Sequence, residues 1–281
     1  MFLINKHILS GQDPQGNAVV QSSSSNHHGE IRPKFLVFHY TACDVQAATN
    51  VFLRKTGANR VSAHLLVDTN GSVTQFVPLN LRAWHAGESE WGGYKDINSH
   101  SIGIEVVNYG YLLKSAAGTF HTAEAKLTIN AAQVIDARHR LVHWPWHYWH
   151  AFTAEQIATC EALAELLTPA CALQDVLGHD DIAPTRKADP GPAFPLPRIR
   201  GLALGRDSQQ IADGVVYVSV DKLNIRKGAG TSFEKVGPAL IRNTQLKVIS
   251  PDVSDWLHVV TAQEPAVDGW VMAAYTSNQP T

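Results

Sequence analysis

Phe35-Leu36-Val37-Phe38 is an unbroken apolar run, and it ends on His39-Tyr40-Thr41-Ala42. Four apolar residues without alternation fit a strand buried on both faces, as in the middle of a parallel or mixed sheet. A histidine at the end of such a strand places an ionisable, metal-capable side chain at the sheet's rim. Working outward, Val45 to Leu53 predicts a helix and Ser62 to Val67 a strand. Asp68-Thr69-Asn70-Gly71 predicts a hairpin turn into Val73-Thr74-Gln75-Phe76-Val77. Ile102-Gly103-Ile104-Glu105-Val106-Val107 is a second buried run, interrupted by one carboxylate. Thr153 to Leu167 reads as a helix with Ile157, Leu163, Leu166 and Leu167 at helical spacings. Thr153 and Gln156 form its capping box and Pro169 closes it. Val176-Leu177-Gly178-His179 is a short strand ending in a second histidine. The pattern predicts an α/β unit, a mixed central sheet flanked by helices, with its chemistry on loops at strand ends.

The polar stretch Gln21 to His28, with His27 and His28, reads as a loop, and Arg198 to Asp213 reads as a linker. Beyond it the pattern changes. Val215 to Val218, Leu223 to Arg226, Gln245 to Ile249, Trp256 to Val260 and Gly269 to Val271 are short strand-like runs separated by turns, the mark of a small all-β barrel. Two domains are expected, 1–212 (linker about 198–212) and 213–281. The 281 residues are 44% hydrophobic and 17% charged with a net charge of −2, so the chain carries no electrostatic footprint for nucleic acid. Cys43, Cys160 and Cys171 are sparse and odd in number, which favours buried free thiols over a disulfide framework. The first residues, Met1-Phe2-Leu3-Ile4-Asn5-Lys6-His7, lack the pattern of a secretory signal, and no apolar run reaches the roughly 18 residues of a membrane span. The expectation is a monomer that is cytoplasmic at synthesis.

A hydrolytic zinc site needs three protein ligands and an open position, and two histidines with one carboxylate suit it. His39, His179 and Asp189 meet that need. Five segments in order, His39-Tyr40-Thr41-Ala42, Val61-Ser62-Ala63-His64, Arg82-Ala83-Trp84-His85-Ala86-Gly87, Ser101-Ile102-Gly103-Ile104-Glu105 and His179 through Pro192, resemble the motifs of type 2 N-acetylmuramoyl-L-alanine amidases, the AmpD/AmiD-like enzymes of the peptidoglycan-recognition fold. The resemblance spans roughly residues 34 to 197. It implies Zn2+ held by His39, His179 and Asp189, Glu105 as the catalytic carboxylate, Lys187 assisting at the transition state, and cleavage of the amide between N-acetylmuramic acid and L-alanine in peptidoglycan or muropeptides. It also implies substrate contacts for Tyr40, His64, Trp84 and His85, the histidines shaping the cleft or orienting neighbours and Trp84 forming an apolar wall. Tyr40 after the first ligand is similar to the AmiD-like branch. Thr185 and Ala63 depart from residues common elsewhere in the family.

The resemblance weakens over 108–151, which reads as an insertion. His139, His143, His147 and His150 recur at close to four-residue spacing there, but Pro145 with the flanking Trp144 and Trp146 breaks any continuous helix, so an aromatic rim near the cleft or a partner contact is expected rather than a metal site. The C-terminal runs resemble a bacterial SH3-like domain, which implies a tether to the cell wall. A non-catalytic peptidoglycan-recognition protein is the alternative. An exported amidase toxin or phage lysin is a further one, which would bring an immunity or secretion partner and action in the periplasm after export by a route that needs no signal peptide.

Overall fold

In the computed structural model of the chain, Phe35–Tyr40 is a strand whose first five residues are all buried. The structure describes residues 1–56, 60–124, 126–205, 215–218, 220–230, 233–251, 256–277 and 280. The chain divides into two compact units, Met1–Leu204 and Gly205–Thr281.

In the first unit six strands run in the order Asp175–Gly178, Phe35–Tyr40, Ser101–Val106, Leu65–Val67, Val73–Gln75, Val20–Gln21. Phe35–Tyr40 is parallel to both neighbours, and Ser101–Val106 is parallel to Leu65–Val67. Leu65–Val67 and Val73–Gln75 form an antiparallel hairpin across the expected turn, in which Gly71 takes φ +84. The sheet is therefore mixed, with helices packed on it. Leu36, Phe38, Ile102, Ile104 and Val106 pack with Cys160, Leu163, Ala164 and Leu167 of the helix Ala154–Ala170. Phe35 and Val37 face the other way, against Ala86, Ile97 and Ile182. Strand alternation then fixes the site's face: His39 follows Phe35 and Val37, while Ser101, Gly103 and Glu105 lie opposite the core-facing Ile102, Ile104 and Val106.

The Thr153 capping box forms, but the helix continues to Ala170 with Pro169 inside its last turn, where a missing N–H costs a single hydrogen bond. His27 and His28 are not loop residues: His27–Glu30 pairs antiparallel with Leu81–Ala83. The first part of the expected linker is a helix, Leu196–Ala203, which buries Ile199 and Ala203 in the main core. Arg200 anchors it to the Asp175 carboxylate, with Nε 2.7 Å from Oδ1. From 206 onward that stretch lies outside the described residues.

Residues 108–151 hold a five-stranded antiparallel sheet ordered Thr128–Ile129, Phe120–Thr122, Tyr111–Lys114, Tyr148–His150, Val134–Asp136. The second unit contains an antiparallel sheet ordered Asp268–Met272, Trp256–Thr261, Gln245–Pro251, Val215–Val218, Thr276–Ser277, around a core that includes Val216, Leu246, Leu257, Val259 and Val271. The three cysteines are free; Cys160 is buried, and Cys43 and Cys171 are half-buried. No helix among the described residues is long and apolar enough to cross a membrane.

Candidate active site

Three neighbouring strands of the sheet bring their carboxyl ends together, the place where open α/β sheets bind ligands. Phe38 is in register with Gly178, so His39 and His179 leave adjacent parallel strands side by side, and Glu105 is in register with His39 on the other flank. Asp189 returns to them on the loop after the short helix His179–Ile182, fastened by the Asp180 N–H donating to the Asp189 carbonyl at 2.8 Å. His39 Nδ1 lies 2.8 Å from His179 Nδ1 and 3.1 Å from Asp189 Oδ2, and His179 Nδ1 is 2.9 Å from the same oxygen.

The partners of the other ring nitrogens show what those three atoms carry. Ser101 Oγ–H donates to the Ile97 carbonyl at 2.7 Å, so at 3.2 Å it accepts from His85 Nε2–H. His85 Nδ1 is then bare and accepts from His39 Nε2–H at 2.9 Å, which leaves His39 Nδ1 as a lone pair. His179 Nε2 faces the Ala86 carbonyl at 3.0 Å and must donate, so its Nδ1 is a lone pair as well. Burial, and then the neighbouring His179, lowers the His39 pKa to about 4, and burial likewise holds His85 well below the usual histidine range, so both rings are neutral at neutral pH. Two imidazole lone pairs and a carboxylate oxygen thus converge on one point. One proton could reconcile only two of them. A cation taking all three reconciles the set, and two nitrogens with one oxygen is a donor set that suits zinc. Among the described residues, His39, His179 and Asp189 form the one group able to hold a metal.

Gly103 makes this arrangement sterically possible. A Cβ there would sit 2.4 Å from His85 Cγ, so the His85 ring occupies the space that any other residue would fill. Alternate residues Ser101, Gly103 and Glu105 therefore hold His85, seat His85 and present a carboxylate.

Glu105 lines the cleft together with Lys187. Its Oε2 is buried with no hydrogen-bond partner among the described residues. Burial first, then the Asp189 charge, raises its pKa to about 8, against the opposing pull of Lys187. The cleft, about 390 Å³, is also walled by Tyr40, Trp84 and His85. The Arg82 guanidinium lies 4.0 Å over the Trp84 ring, and the Tyr40 ring packs on the backbone of Gly110, where a Cβ would come within 2.3 Å of it.

Of the roles expected for His64, orienting a neighbour fits its place in the fold and direct contact with substrate does not. It is fully buried, its Nε2–H donates to the Leu81 carbonyl at 2.8 Å, and its Nδ1 accepts from the Gly103 N–H at 2.9 Å. With both nitrogens committed to backbone it cannot contact a substrate; it packs edge-on to His85 and supports it.

The insertion contributes more than a rim. Tyr111, Trp144 and Trp146 line the cleft. His139 Nδ1 accepts from the Leu141 N–H, so Nε2–H points to the Ala188 carbonyl at 3.1 Å and Asp180 Oδ2 at 3.2 Å. Arg140 binds Asp180 and Asp181 at 2.9 and 2.7 Å. Trp149 packs on Gly191, which has φ +74 in the turn after Asp189. The insertion thus braces the loop that carries Asp189. Ser101, Gly103 and His139 have supporting roles absent from the sequence reading; the Ser-x-Gly-x-Glu spacing on one strand face was the available signal for the first two.

The family model for N-acetylmuramoyl-L-alanine amidase matches residues 29–192. The chain is 32% identical over 236 residues to N-acetylmuramoyl-L-alanine amidase AmiD of Escherichia coli (strain K12), covering 78% of this chain and 72% of AmiD. It is 36% identical over 143 residues to 1,6-anhydro-N-acetylmuramyl-L-alanine amidase AmpD of Salmonella typhimurium (strain SL1344), 51% of this chain and 57% of AmpD. The chain therefore spans little more than half the length of that relative. The crystal structure of a selenomethionine AmpD derivative superposes with a TM-score of 0.50 at 25% identity, covering 71% of this chain and 98% of that one. A family match over more than half of the 281 residues, with these relatives, shows that the chain belongs to the N-acetylmuramoyl-L-alanine amidase family.

Proposed function

We propose that the chain hydrolyses the amide between N-acetylmuramic acid and L-alanine in peptidoglycan or its muropeptides, with zinc held by His39, His179 and Asp189. The convergence of two bare imidazole nitrogens and one carboxylate oxygen within 3.1 Å of one another carries the metal part of this reading. A zinc ion bound by the three would polarise the scissile carbonyl and acidify a water. Glu105, unpartnered at Oε2, takes the proton from the attacking water as its oxygen bonds to the carbonyl carbon. It then delivers that proton to the departing L-alanine nitrogen as the C–N bond breaks, leaving a carboxylate on the lactyl group and an amine on the peptide. In the metal-free site burial and the Asp189 charge raise the Glu105 pKa, and a bound cation would oppose that rise and favour the ionised form that takes the first proton. Lys187 faces the negative charge that develops on the carbonyl oxygen, a contribution of about 3 kcal/mol for one well-placed donor. Tyr40, Trp84 and His85 border the space left for substrate, and His85 doubles as the partner that fixes the His39 tautomer.

The second unit we read as an SH3-like module that tethers the enzyme to the wall. Short antiparallel strands around one apolar core support that reading. Release of stem peptide from purified muropeptides tests the function. The expected result is release with zinc, loss after chelation or in His179→Ala, and return on adding zinc to the wild type; no release by the zinc-loaded protein would refute it.

A further inference from the structure

The insertion brings three aromatic rings to the cleft, and the amidase chemistry described so far uses none of them. Trp146 stacks on Tyr111 with centroids 3.7 Å apart and planes 12° from parallel, and Trp144 stacks on Trp146 at 4.9 Å and 14°. The stack is rigidly founded. Trp146 and Tyr111 both meet the buried Trp149 edge-on, and Trp149 donates its indole N–H to the Ala137 carbonyl at 2.9 Å. Trp144 Nε1 is buried and has no acceptor among the described residues.

Trp146 is the middle ring, covered by Tyr111 on one face and Trp144 on the other, so the column offers its flat, electron-rich surface at the outer faces of its end rings and Trp146 holds those rings in place. Such faces attract the slightly positive C–H bonds that cover one side of a pyranose ring. A buried indole N–H without an acceptor calls for a ligand rich in oxygen acceptors, and sugar hydroxyl and acetamido groups supply them. The charges in the cleft are divided consistently with this. Its cations, Arg186 and Lys187, come from the Asp189 loop, whereas the insertion's charged residue at the cleft is the acid Glu124. A stem peptide carries carboxylates and is drawn towards the first side; a neutral glycan is not repelled from the second.

We infer that Tyr111, Trp144 and Trp146 form a saccharide subsite, which seats the N-acetylated pyranose rings of a glycan strand beside the scissile amide and gives the enzyme a preference for substrates that retain sugar. The inference rests on the proposed amidase reading only for the identity of the bond cleaved. The column fixes the sugar end of the substrate at the insertion and directs the peptide end towards Arg186 and Lys187.

Two measurements test it, and the first does not depend on turnover. Metal-stripped protein is titrated with oligomers of N-acetylglucosamine while tryptophan fluorescence is followed. Saturable quenching in the wild type, with an apparent Kd about tenfold weaker in Trp146→Ala and largely restored in Trp146→Phe, is expected. No saturable change in the wild type, or the same Kd in Trp146→Ala, overturns the subsite and leaves the amidase reading standing. A shift produced by free stem peptide and not by the oligomers overturns it as well, because the column would then hold peptide. The second measurement is the ratio of kcat/KM on a disaccharide-peptide to that on an acyl-peptide lacking sugar, taken on one preparation so that any unfolded fraction cancels. That ratio falls about tenfold in Trp144→Ala and Trp146→Ala; an unchanged ratio contradicts the assignment.

Discussion

His39 and Glu105 are direct register partners on adjacent parallel strands, their side chains on the same face of the sheet. A proposed metal ligand and a proposed proton carrier are therefore held by the most rigid part of the fold. Their spacing changes only if the sheet's register changes. The loop residues Lys187 and Asp189 are brought to this fixed pair and are held there by the Asp180 N–H and the insertion.

Glu105→Gln separates function from stability. The Glu105 pKa is raised from 4.5 to about 8, so between those values the folded chain keeps a proton that the unfolded chain has released. Stability then falls as pH rises through that window and levels off above it. The glutamine variant removes the loss. In metal-free protein it melts higher than wild type, with a difference that is small at the acid end of the window and grows to roughly 2–4 kcal/mol above it. Turnover falls at least about a thousandfold while zinc content is retained. Thermal melts across pH and metal analysis check both parts; a variant with near wild-type turnover contradicts the role of Glu105.

Gly103→Ala acts on the metal without touching a ligand. The new Cβ displaces His85, which breaks the chain from His39 Nε2 to Ser101. Zinc affinity is expected to fall about 10–100-fold, the usual effect of losing a partner behind a metal-bound histidine. Overpacking adds about 1–3 kcal/mol of destabilisation. Calorimetric titration with zinc measures the first effect, and an unaltered affinity argues against the chain.

His139→Ala removes the donor shared by the Ala188 carbonyl and Asp180. The cost is about 1–3 kcal/mol, read from the denaturant midpoint, with weaker zinc binding as the Asp189 loop loosens. The control is His143→Ala, an exposed position in the same segment, expected within about 0.5 kcal/mol of wild type. Equal effects at the two positions would show that the insertion does not brace the loop.

Ending the chain after Leu204 removes the second compact unit and leaves the first entire. Cleavage of small muropeptides is expected to persist, while hydrolysis of intact sacculi drops about tenfold or more through the loss of a second attachment point. Parallel assays on the two substrates decide it; equal loss on both would make the unit structural.

The inner strands of the central sheet were legible because they are largely buried and short-range rules govern them: Phe35 to Phe38 and Ile102 to Val106 could be little else, whereas the exposed edge strand Val20–Gln21 carries no such pattern. The candidate triad was legible because its residues stand inside ordered motifs, the two histidines at strand ends and Asp189 in the loop that follows the second. The choice between the roles open to His64 was not legible because a motif position does not tell whether a residue faces the cleft or lies behind it. The place of His64 was set by the Leu81 carbonyl and the Gly103 N–H, contacts made only by the assembled fold. Most of the helix Leu196–Ala203 falls in the stretch read as a linker, because from Arg198 onward that stretch shows no strand pattern and the helical part is only two turns long. Burial of Ile199 and the Arg200–Asp175 pair stabilise it, and both are tertiary. The sheet of 108–151 escaped notice because several of its strands are only two or three residues long, too short for a periodic pattern.

Mass spectrometry of the products from a defined muropeptide treated with zinc-loaded protein tests the central claim most directly. The account predicts two fragments that together exceed the substrate by one water, a sugar ending in the free lactyl carboxylate and a peptide beginning with free L-alanine. Cleavage at any other bond, or an intact substrate with zinc bound, would contradict it.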